Sequence, residues 1–367
     1  MSLEVEFSRA FALFKSAKRI ALIHDSDADG VCAATILIHA FENLFPDKIV
    51  LQKTSVTRQF FSSEFLDEAA KKDVDLFISL DSDPINYNRY DDMATHQYFA
   101  KKDWHLVVID HHPINSDTPK NAVRVNPHAF NDPTASKYCT AKLCYDLFVK
   151  ETDITEYDWL GAAGLIGDHT ADLWFDFLVD TAKRNNINFP AKTPNDWFSS
   201  PFSKILTKIN CARAVGEEAV IKTADIIRGF KTAREAIEAN NPFSDVQRTV
   251  EDYIRTHRSR GEINEEHEVL WLEINEKYHI SSWVSSIISN DNPQMLYLVF
   301  HIDGATTGIS SRCQSKRVDC GKMMNQITES MDGASGGGHA AAAGAKILTK
   351  DFDTFKSNIY KYIEENK

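Results

Sequence analysis

The 367-residue sequence predicts an α/β protein with an N-terminal doubly wound parallel sheet, a helical connector and a smaller C-terminal α/β domain. Two observations predict this fold. Short apolar runs at residues 20–23, 76–80 and 106–109 alternate with longer segments of helical apolar spacing, and such alternation is typical of a parallel sheet with helical crossovers. The length, with 43% hydrophobic residues, also suffices for more than one buried core.

Helices and strands follow one another through the first domain, which we predict to occupy residues 1–175. Three phenylalanines at helical spacing predict a first helix over residues 5–18. The segment from residue 31 to residue 45 contains neither glycine nor proline and predicts a helix after the first apolar run. Further predicted elements are a strand over residues 49–54 and helices over residues 62–72 and 140–149.

The rest of the chain predicts a helical connector over residues 176–265 and a second domain over residues 266–367. Amphipathic spacing favours helices in the connector, and Asp245 is predicted to cap a helix that ends near residue 260. Ala340 to Ala343 is expected to begin a tightly packed helix after a glycine run. In the second domain, we predict strands over residues 269–274, 295–302 and 307–312 and a final helix over residues 352–364.

Composition and charge exclude several classes of protein. The net charge of -12 argues against broad coating of duplex DNA, although it allows a local basic groove. No apolar run approaches the roughly 20 residues that span a bilayer, and the N-terminus has no secretory signal pattern. The six cysteines form no CxxC pair and no metal-binding spacing. We therefore expect reduced thiols and a cytoplasmic protein without membrane partners.

Acidic and imidazole side chains follow four apolar segments of the first domain. They stand at residues 24–30, 81–83, 110–112 and 168–169. Open α/β sheets bind ligands at the carboxyl ends of their strands, so we expect these side chains to lie together. Carboxylates this close repel one another unless a cation neutralises them. The sequence therefore predicts a divalent metal site; Asp and His without Cys favour Mn²⁺, with Mg²⁺ as the second candidate.

Each of these clusters has a simpler interpretation when it is taken alone. A single Asp-x-Asp sequence is usually a turn, tandem histidines are more often structural or surface groups, and Asp168 alone would be a helix cap. Their joint occurrence after apolar segments favours the metal site. Gly30 is expected to adopt a backbone conformation that a side chain would forbid.

The order of these motifs resembles the DHH phosphoesterase superfamily, which includes RecJ exonucleases, NrnA-type oligoribonucleases, cyclic-dinucleotide phosphodiesterases and exopolyphosphatases. The resemblance extends from about residue 20 to residue 348. Near the C-terminus, the glycine run and the preceding Ser311-Arg312 resemble the DHH-associated domain. The matching pieces are Asp25-Ser26-Asp27-Ala28-Asp29-Gly30, Asp81, Asp110-His111-His112, Asp168 and Gly336-Gly337-Gly338-His339.

The resemblance implies a centre with two metal ions. Asp27 would bind one ion and Asp29 the other, with Asp81 bridging them, and His111 and Asp168 would complete the second ion. The predicted catalytic residues are Asp81, Asp110, His111 and His112.

Four positions leave alternatives open. Asp110 and His112 would either lie behind the metal ligands, where they orient them, or contact the scissile phosphate. Asp25 is included among the candidate ligands, but the sequence does not decide between His24, Asp25 and neither. Asp83 would add a ligand or only shape its turn.

The second domain supplies the candidate substrate-binding residues. Gly336, Gly337 and Gly338 have no Cβ, so their N–H groups could form an anion nest, with a following helix start adding its dipole. The planar guanidinium of Arg312 suits a phosphate. By resemblance, Arg312 and His339 bind the substrate phosphates, and the active site is expected in the cleft between the domains.

Together these features predict Mn²⁺-dependent hydrolysis of phosphoester bonds by a two-metal mechanism. The first motif resembles RecJ-like nucleases more than the NrnA-type pattern, which favours an exonuclease or oligonuclease acting on single-stranded or short nucleic acids. The alternatives are a small-nucleotide phosphatase, a cyclic-dinucleotide or dinucleotide phosphodiesterase and, in another class, a non-catalytic nucleic-acid-binding subunit. RNA or DNA preference, polarity of digestion and a homodimer through the connector helices stay open.

Overall fold

The structure is a computed structural model that describes residues 2–55, 61–87, 89–90, 93–130 and 132–366. The chain divides into two compact units, Met1–Pro242 and Phe243–Lys367. The predicted three-part division into residues 1–175, 176–265 and 266–367 stays a prediction.

The first unit contains a sheet of five parallel strands, in the order β2-β1-β3-β6-β7. Every predicted strand of this domain is present, so the doubly wound α/β fold is confirmed. The strands are β1 (Ile20–Asp25), β2 (Ile49–Ser55), β3 (Leu76–Leu80), β6 (His105–Ile109) and β7 (Ala122–Val125), and a separate short hairpin consists of β4 (Arg89–Tyr90) and β5 (Met93–Ala94).

Eleven α-helices of the first unit lie within the described ranges. They include the predicted helices at residues 5–18, 31–45, 62–72 and 140–149, with ends that shift by a few residues, as is common for helix termini. The helices are α1 (Leu3–Ser16), α2 (Ala28–Leu44), α3 (Ser63–Lys71), α4 (Pro84–Tyr87), α5 (Thr95–Lys101), α6 (Thr140–Phe148), α7 (Asp158–Gly167), α8 (Phe175–Arg184), α9 (Ser203–Val215), α10 (Glu217–Arg228) and α11 (Ala233–Glu238).

Both faces of the five-stranded sheet are buried, except along the half-buried edge strand β2. Alternate strand residues point to opposite faces, and on one face Phe77 packs against Phe99 and Trp104, with ring centroids 4.6 and 5.0 Å away. The residues of the opposite face, such as Leu22 and Ile78, are also fully buried. A sheet covered on both sides reads as continuous apolar runs, which is why short runs alone predicted these strands.

The strand order places a topological switch between β1 and β3. From β1 the chain first moves outward to β2 and then returns to the other side of β1. At such a point the connections leave in opposite directions and open a crevice beyond the carboxyl ends of the strands. Asp25 is the last residue of β1, Asp27 lies two residues beyond it and Asp81 follows β3, so the fold directs these carboxylates into that crevice.

The fourth apolar segment of the sequence is a helix. Leu160 to Ile166 lies within α7, and Asp168 is the residue that caps the carboxyl end of this helix. A buried helix and a buried strand both read as apolar runs, and periodicity alone does not separate them. Asp168 therefore reaches the site from a helix end, whereas the other three clusters follow strands.

The second unit contains a mixed sheet of six strands, in the order β12-β13-β11-β10-β9-β8, in which only β9 and β10 are parallel. The three predicted strands and the final helix are confirmed. The strands are β8 (Glu262–Asn264), β9 (Val269–Glu273), β10 (Leu296–Asp303), β11 (Thr306–Arg312), β12 (Ser335–His339) and β13 (Ala342–Leu348), and the helices are α12 (Ser244–Arg260), α13 (Ser281–Ile288), α14 (Cys320–Glu329) and α15 (Phe352–Glu365).

Two predictions for the second unit are wrong. Ala340 to Ala343 does not begin a helix; Ala340 and Ala341 form the turn of the hairpin that joins β12 to β13. Four alanines are too few to nucleate a helix, and strand pairing overrides their propensity. Asp245 is not the helix cap, because α12 begins at Ser244 and the cap residue is Phe243; the Asp245 carboxylate instead accepts a hydrogen bond from the Tyr278 hydroxyl.

Within the described ranges, no helix combines the length and apolar character that a bilayer span requires. All six cysteines lie in the described part of the chain, and all are buried free thiols.

Candidate metal centre

The carboxyl ends of β1, β3 and β6 bring the predicted side chains into two groups that share Asp81. Within each group, one potential ligand atom from every residue lies within 4.8 Å of the others. Two groups joined by one carboxylate form the arrangement expected for two cations with a common ligand. The first group is Asp25, Asp27 and Asp81, and the second is Asp81, Asp110, His111 and His112.

His111 carries the clearest sign that a cation belongs here. Its Nε2 lies 3.5 Å from Asp81 Oδ1, 3.6 Å from Asp168 Oδ2 and 3.9 Å from Asp29 Oδ2. This nitrogen is buried and has no hydrogen-bond partner within the described part of the chain. Burial lowers the pKa of His111, although Asp29 opposes this effect, so the neutral imidazole keeps a lone pair for a metal. The residues therefore fit a divalent cation.

Ionisation of the carboxyl groups around His111 is energetically costly in the metal-free protein. Burial, followed by the charges of Asp29 and Asp27, raises the pKa of Asp168 to about 8 and the pKa of Asp81 well above its ordinary value. Burial also raises the pKa of Asp29. Positive charge would remove both the desolvation penalty and the mutual repulsion.

We expect Mn²⁺ affinity to rise with pH between about 6 and 8, by up to roughly tenfold per pH unit for each proton released. The unfolded chain loses the Asp168 proton near its ordinary pKa of 3.8, whereas the folded, metal-free protein keeps it until about 8. The folded state therefore binds more protons in this window, and metal-free stability falls as pH rises. Calorimetric Mn²⁺ titrations in two buffers of different ionisation enthalpy measure the released protons. A pH-independent affinity without proton release contradicts this expectation.

Asp110 holds the two histidines that follow it. Its Oδ1 accepts hydrogen bonds from the backbone N–H groups of His111 and His112, at 2.8 and 3.2 Å, and from His112 Nδ1 at 2.8 Å. Burial disfavours the charge of Asp110, but the hydrogen bonds from His112 and the charges of His112 and His111 together outweigh it and lower the pKa of Asp110. Asn126 adds a hydrogen bond of 2.9 Å from Nδ2 to the His112 carbonyl. Asp110 Oδ1 thus holds both histidines, and the choice between the two roles drawn from the sequence for Asp110 and His112 stays a prediction.

The structure separates the roles of His24 and Asp25. The buried ring of His24 donates from Nδ1 to the Asp25 carbonyl at 2.7 Å and accepts at Nε2 from the Gln52 amide at 3.1 Å. Burial lowers the pKa of His24 to about 4. Both ring nitrogens thus have protein partners, whereas the Asp25 carboxylate belongs to one of the two potential ligand groups.

Asp83 takes part in an ion pair. Its Oδ2 lies 2.6 Å from Arg124 Nε, and both side chains are only 2% exposed. Its Oδ1 accepts from the Ile85 N–H at 2.9 Å. Of the two roles that the sequence left open for Asp83, these contacts indicate the shaping of the turn after β3.

Gly30 is needed for a reason other than the predicted one. It lies in the first turn of α2, where Asp27 Oδ1 accepts from the N–H groups of Asp29 and Gly30 at 3.1 and 3.2 Å. Gly30 does not have a positive φ, so conformational freedom does not explain it. A Cβ at this position would lie 2.5 Å from the Asp25 carbonyl oxygen. The absent side chain lets the helix start against the metal-binding turn.

The start of α6 is a part of the site that sequence reasoning missed. The backbone N–H groups of Thr140 and Ala141 donate to the two Asp29 oxygens at 2.6 and 2.8 Å, and the Thr140 hydroxyl donates to Asp81 Oδ1 at 3.0 Å. A helix start is a suitable place for a carboxylate. The helix itself was predicted. Thr140 was missed because it begins a helix, whereas the sequence pattern selects polar side chains that follow an apolar strand.

Replacing Thr140 with valine is expected to weaken Mn²⁺ binding by roughly 10- to 100-fold, the usual effect of removing a group that orients a metal ligand. Valine keeps the shape and both backbone donors to Asp29 but removes the hydroxyl that positions Asp81. Thr140→Ser is the matched control, because serine retains the hydroxyl. Isothermal titration with Mn²⁺ measures both variants; equal affinities for the two would show that this hydrogen bond does not act on the metal.

Gly164 in α7 is the second missed residue. A Cβ there would lie 2.5 Å from the Ala141 Cβ and 2.7 Å from Asp29 Oδ1. The absence of a side chain thus lets α7 approach the start of α6 and enclose Asp29. The only available signal was the run of small residues from 161 to 164.

The candidate substrate-binding residues of the second unit lie at one end of its sheet. Arg312 on β11 and His339 on β12 are both paired with Ala342 of β13, so their Cα atoms are about 10 Å apart. The Arg312 guanidinium donates to the Ser286 and Ser282 hydroxyls at 3.2 and 3.0 Å, and His339 is exposed. Both side chains point to the same face of the sheet.

The predicted glycine nest needs correction. Gly336, Gly337 and Gly338 form an extended strand paired with β13, and no helix begins after them. Successive N–H groups of a strand point in opposite directions, so the three do not converge on one anion. Gly338 has a φ of 146°, and a Cβ there would lie 2.6 Å from the Ala342 carbonyl oxygen. Strand geometry and close packing therefore explain why residue 338 is a glycine.

Comparison with known families identifies two regions of the chain. The model of the DHH family, N-terminal domain, matches residues 19–167, and that of the DHHA1 domain matches residues 269–365. No curated protein matches the chain.

Several solved structures share the fold. RecJ from Thermus thermophilus, in complex with Mn²⁺, is 19% identical with a TM-score of 0.67; the match covers 99% of this chain and 55% of that one. An exonuclease RecJ bound to manganese is 17% identical with a TM-score of 0.64, over 99% and 94% of the two chains. The pGpG-specific phosphodiesterase PggH from Vibrio cholerae is 14% identical with a TM-score of 0.50, over 95% and 100%. The chain thus spans about half the length of the Thermus protein.

Proposed function

The chain belongs to the DHH superfamily and carries a C-terminal DHHA1 domain, and from this premise we propose that it is a manganese-dependent phosphodiesterase acting on single-stranded or short nucleic acids. It is a phosphoesterase by family. The metal identity, the substrate and the two-metal mechanism belong to the proposal.

The observation that carries the proposal is the position of His111 Nε2 among the carboxylate oxygens of Asp29, Asp81 and Asp168. This nitrogen is buried and has no hydrogen-bond partner among the residues that the structure describes. Asp25 and Asp27 would hold one ion, His111, Asp29 and Asp168 the other, and Asp81 both. A bound pair of ions would activate water and neutralise charge on a phosphodiester.

His112 has the features of a group that meets the substrate. Its side chain is 41% exposed, and Asp110 accepts the hydrogen bond from its Nδ1 at 2.8 Å. This hydrogen bond fixes the tautomer, so the lone pair is at Nε2 in the neutral ring. We propose that His112 contacts the scissile phosphate or exchanges a proton with its leaving oxygen, while Asp110 supports the imidazolium form.

The second unit would bind the phosphates of the substrate. Serine hydroxyls preorient the Arg312 guanidinium, and His339 lies two strands away on the same face. The guanidinium of Arg312 and the imidazole of His339, with Cα atoms about 10 Å apart, suit neighbouring phosphates of one nucleic-acid strand. We keep Arg312, His339 and Gly336 to Gly338 as the proposed substrate-binding residues.

An exonuclease and a dinucleotide phosphodiesterase remain the two candidate activities. The similarity to manganese-bound exonuclease RecJ favours the first. The full-length match to a pGpG-specific phosphodiesterase favours the second. The first motif resembles the RecJ pattern, so we propose the exonuclease. Free buried thiols support a cytoplasmic location, and a homodimer is also only a proposal.

The decisive experiment is a cleavage assay with Mn²⁺ on end-labelled RNA and DNA ladders from the dinucleotide upwards. A cyclic dinucleotide, a 3′,5′-bisphosphate nucleotide and polyphosphate are tested in parallel. Stepwise shortening from one end supports the exonuclease and gives its polarity. Turnover confined to dinucleotides or mononucleotides would replace it with a small-nucleotide activity. Oligonucleotide binding without turnover of any substrate would indicate a non-catalytic subunit.

A further inference from the structure

His169 occupies a backbone position that normally belongs to glycine. It directly follows the cap residue of α7 and has a φ of 57°. The Thr170 N–H donates to the Leu165 carbonyl at 3.0 Å and the His169 N–H to the Ile166 carbonyl at 3.4 Å, which is the Schellman pattern at the end of a helix. A residue with a Cβ is less stable than glycine in this left-handed conformation. The backbone alone therefore does not explain the imidazole.

Burial does not explain the imidazole either. The His169 side chain is exposed, and its ring packs on one side against the Phe198 ring, with centroids 4.5 Å apart and planes at 40°. A ring retained for core packing would be enclosed. A strained and exposed side chain is instead typical of a residue kept for function.

Phe198 gives the pair a firm support. It lies in the 3₁₀-helix Pro194–Ser199, next to the fully buried Trp197. The Asp196 carboxylate accepts from the Lys192 and Thr193 N–H groups at 2.6 and 2.8 Å and holds the start of this turn. His169 and Phe198 therefore form a fixed, partly exposed aromatic surface.

This surface begins at the residue that directly follows Asp168, a side chain of the metal centre. Asp168 Oδ2 lies 3.6 Å from His111 Nε2, and the Cα atoms of Asp168 and His169 are about 3.8 Å apart across one peptide bond. His169 does not belong to either of the potential ligand groups formed by the described residues. The aromatic pair thus begins one residue after Asp168, which belongs to the site that would hold a phosphodiester.

We propose that His169 and Phe198 form a stacking platform for the nucleobase beside the scissile phosphate. This inference rests on the proposed function. In a nucleotide, each charged phosphate lies near a flat, uncharged base. An aromatic ring beside a metal-bound phosphate would therefore contact a base. Stacking tolerates every base, and we infer that the platform strengthens binding without selecting a sequence.

The test compares two substrates in the native protein and in His169→Gly. One substrate is a short oligodeoxyadenylate, and the other has the same backbone with abasic residues. The native protein is expected to show a kcat/KM roughly 5- to 150-fold higher for the base-bearing substrate, and the variant is expected to lose most of this preference. Thermal stability of the variant should equal or exceed the native value, and Mn²⁺ affinity should be unchanged.

Two further variants sharpen the test. Asn186→Gly is the matched control, because Asn186 has a φ of 54° at the end of α8, and the Ile187 and Asn186 N–H groups donate to the Ala182 and Lys183 carbonyls. It should gain stability without any change in substrate preference. His169→Phe keeps an aromatic ring and should retain the preference.

The outcomes separate this inference from the function on which it rests. If the native protein cleaves both substrates and His169→Gly keeps the full preference, the platform is wrong and the proposed function stands. If His169→Gly loses thermal stability or Mn²⁺ affinity, the imidazole is structural and the platform is again wrong. If the native protein cleaves neither substrate, the proposed function and the platform fail together.

Discussion

Replacing Asp81 with asparagine is expected to lower the turnover number by at least about a thousandfold, which corresponds to about 4 kcal/mol of transition-state stabilisation. Asp81 belongs to both potential ligand groups and accepts a hydrogen bond from the Thr140 hydroxyl. Its φ of 58° is tolerated by asparagine, so the backbone should not change. The amide cannot neutralise two cations, and both should bind weakly.

A second effect of Asp81→Asn concerns stability. Burial, together with the charges of Asp29 and Asp27, raises the pKa of Asp81 well above its ordinary value, so its ionised form destabilises the metal-free protein. The metal-free variant should therefore melt at a higher temperature than the metal-free native protein. Because bound metal stabilises in proportion to its affinity, added Mn²⁺ should raise the melting temperature of the variant much less.

The matched control for Asp81→Asn is Asp103→Asn. Asp103 has the same backbone conformation, with a φ of 55°, but it is exposed and lies outside the potential ligand groups of the described residues. It should leave both turnover and the Mn²⁺-induced shift in melting temperature unchanged. Near-native turnover in Asp81→Asn would refute the shared-ligand assignment.

Replacing Arg124 with methionine is expected to reduce the free energy of unfolding by about 3–5 kcal/mol. Arg124 donates from Nε to Asp83 at 2.6 Å, and its other nitrogens donate to the Ser116 carbonyl, the Ser116 hydroxyl and the Thr118 hydroxyl. Since Asp83 is 2% exposed, water cannot replace the lost partner. The variant leaves a buried carboxylate without its counter-charge, and chemical denaturation of the metal-free protein measures the loss.

Two comparisons test this explanation. The double variant Arg124→Met with Asp83→Asn removes both charges but keeps the acceptor for the Ile85 N–H, and it should recover much of the loss. Arg184→Met is the matched control, because Arg184 also pairs at 2.6 Å with a buried carboxylate, that of Asp158, but is itself 54% exposed. Asp158 keeps a hydrogen bond from Asn185 at 2.9 Å, so the loss should be smaller. Equal losses in both single variants would show that burial of the pair is not the cause.

The parts of the fold that were predicted correctly are those with a strong local signal. The strands that end at Leu80 and Ile109 are apolar runs buried on both faces, and the helix after Asp27 has no breaker. Ala340 to Ala343 was predicted wrongly because its conformation depends on pairing with β11 and β12, which are distant interactions that local propensity does not contain.

The same limit applies to the candidate site. Ligand types that follow a strand are visible in the sequence, so the gathering of Asp25, Asp27, Asp81 and His111 could be anticipated. The roles of Asp83 and His24 depend on Arg124 and Gln52, residues with no sequence signal that pairs them. Thr140 stands more than 50 residues from each carboxylate that it contacts, and only the folded chain brings them together.

The close approach at Gly30 and Gly164 affects how this protein tolerates mutation. Neither residue offers a metal ligand, yet a single added methyl group would meet the Asp25 carbonyl oxygen in one case and the Asp29 carboxylate in the other. In a saturation-mutagenesis library selected for activity, alanine variants at both glycines should therefore be lost as strongly as substitutions of the acidic residues. A map of mutational intolerance would outline the metal centre partly through residues that have no side chain.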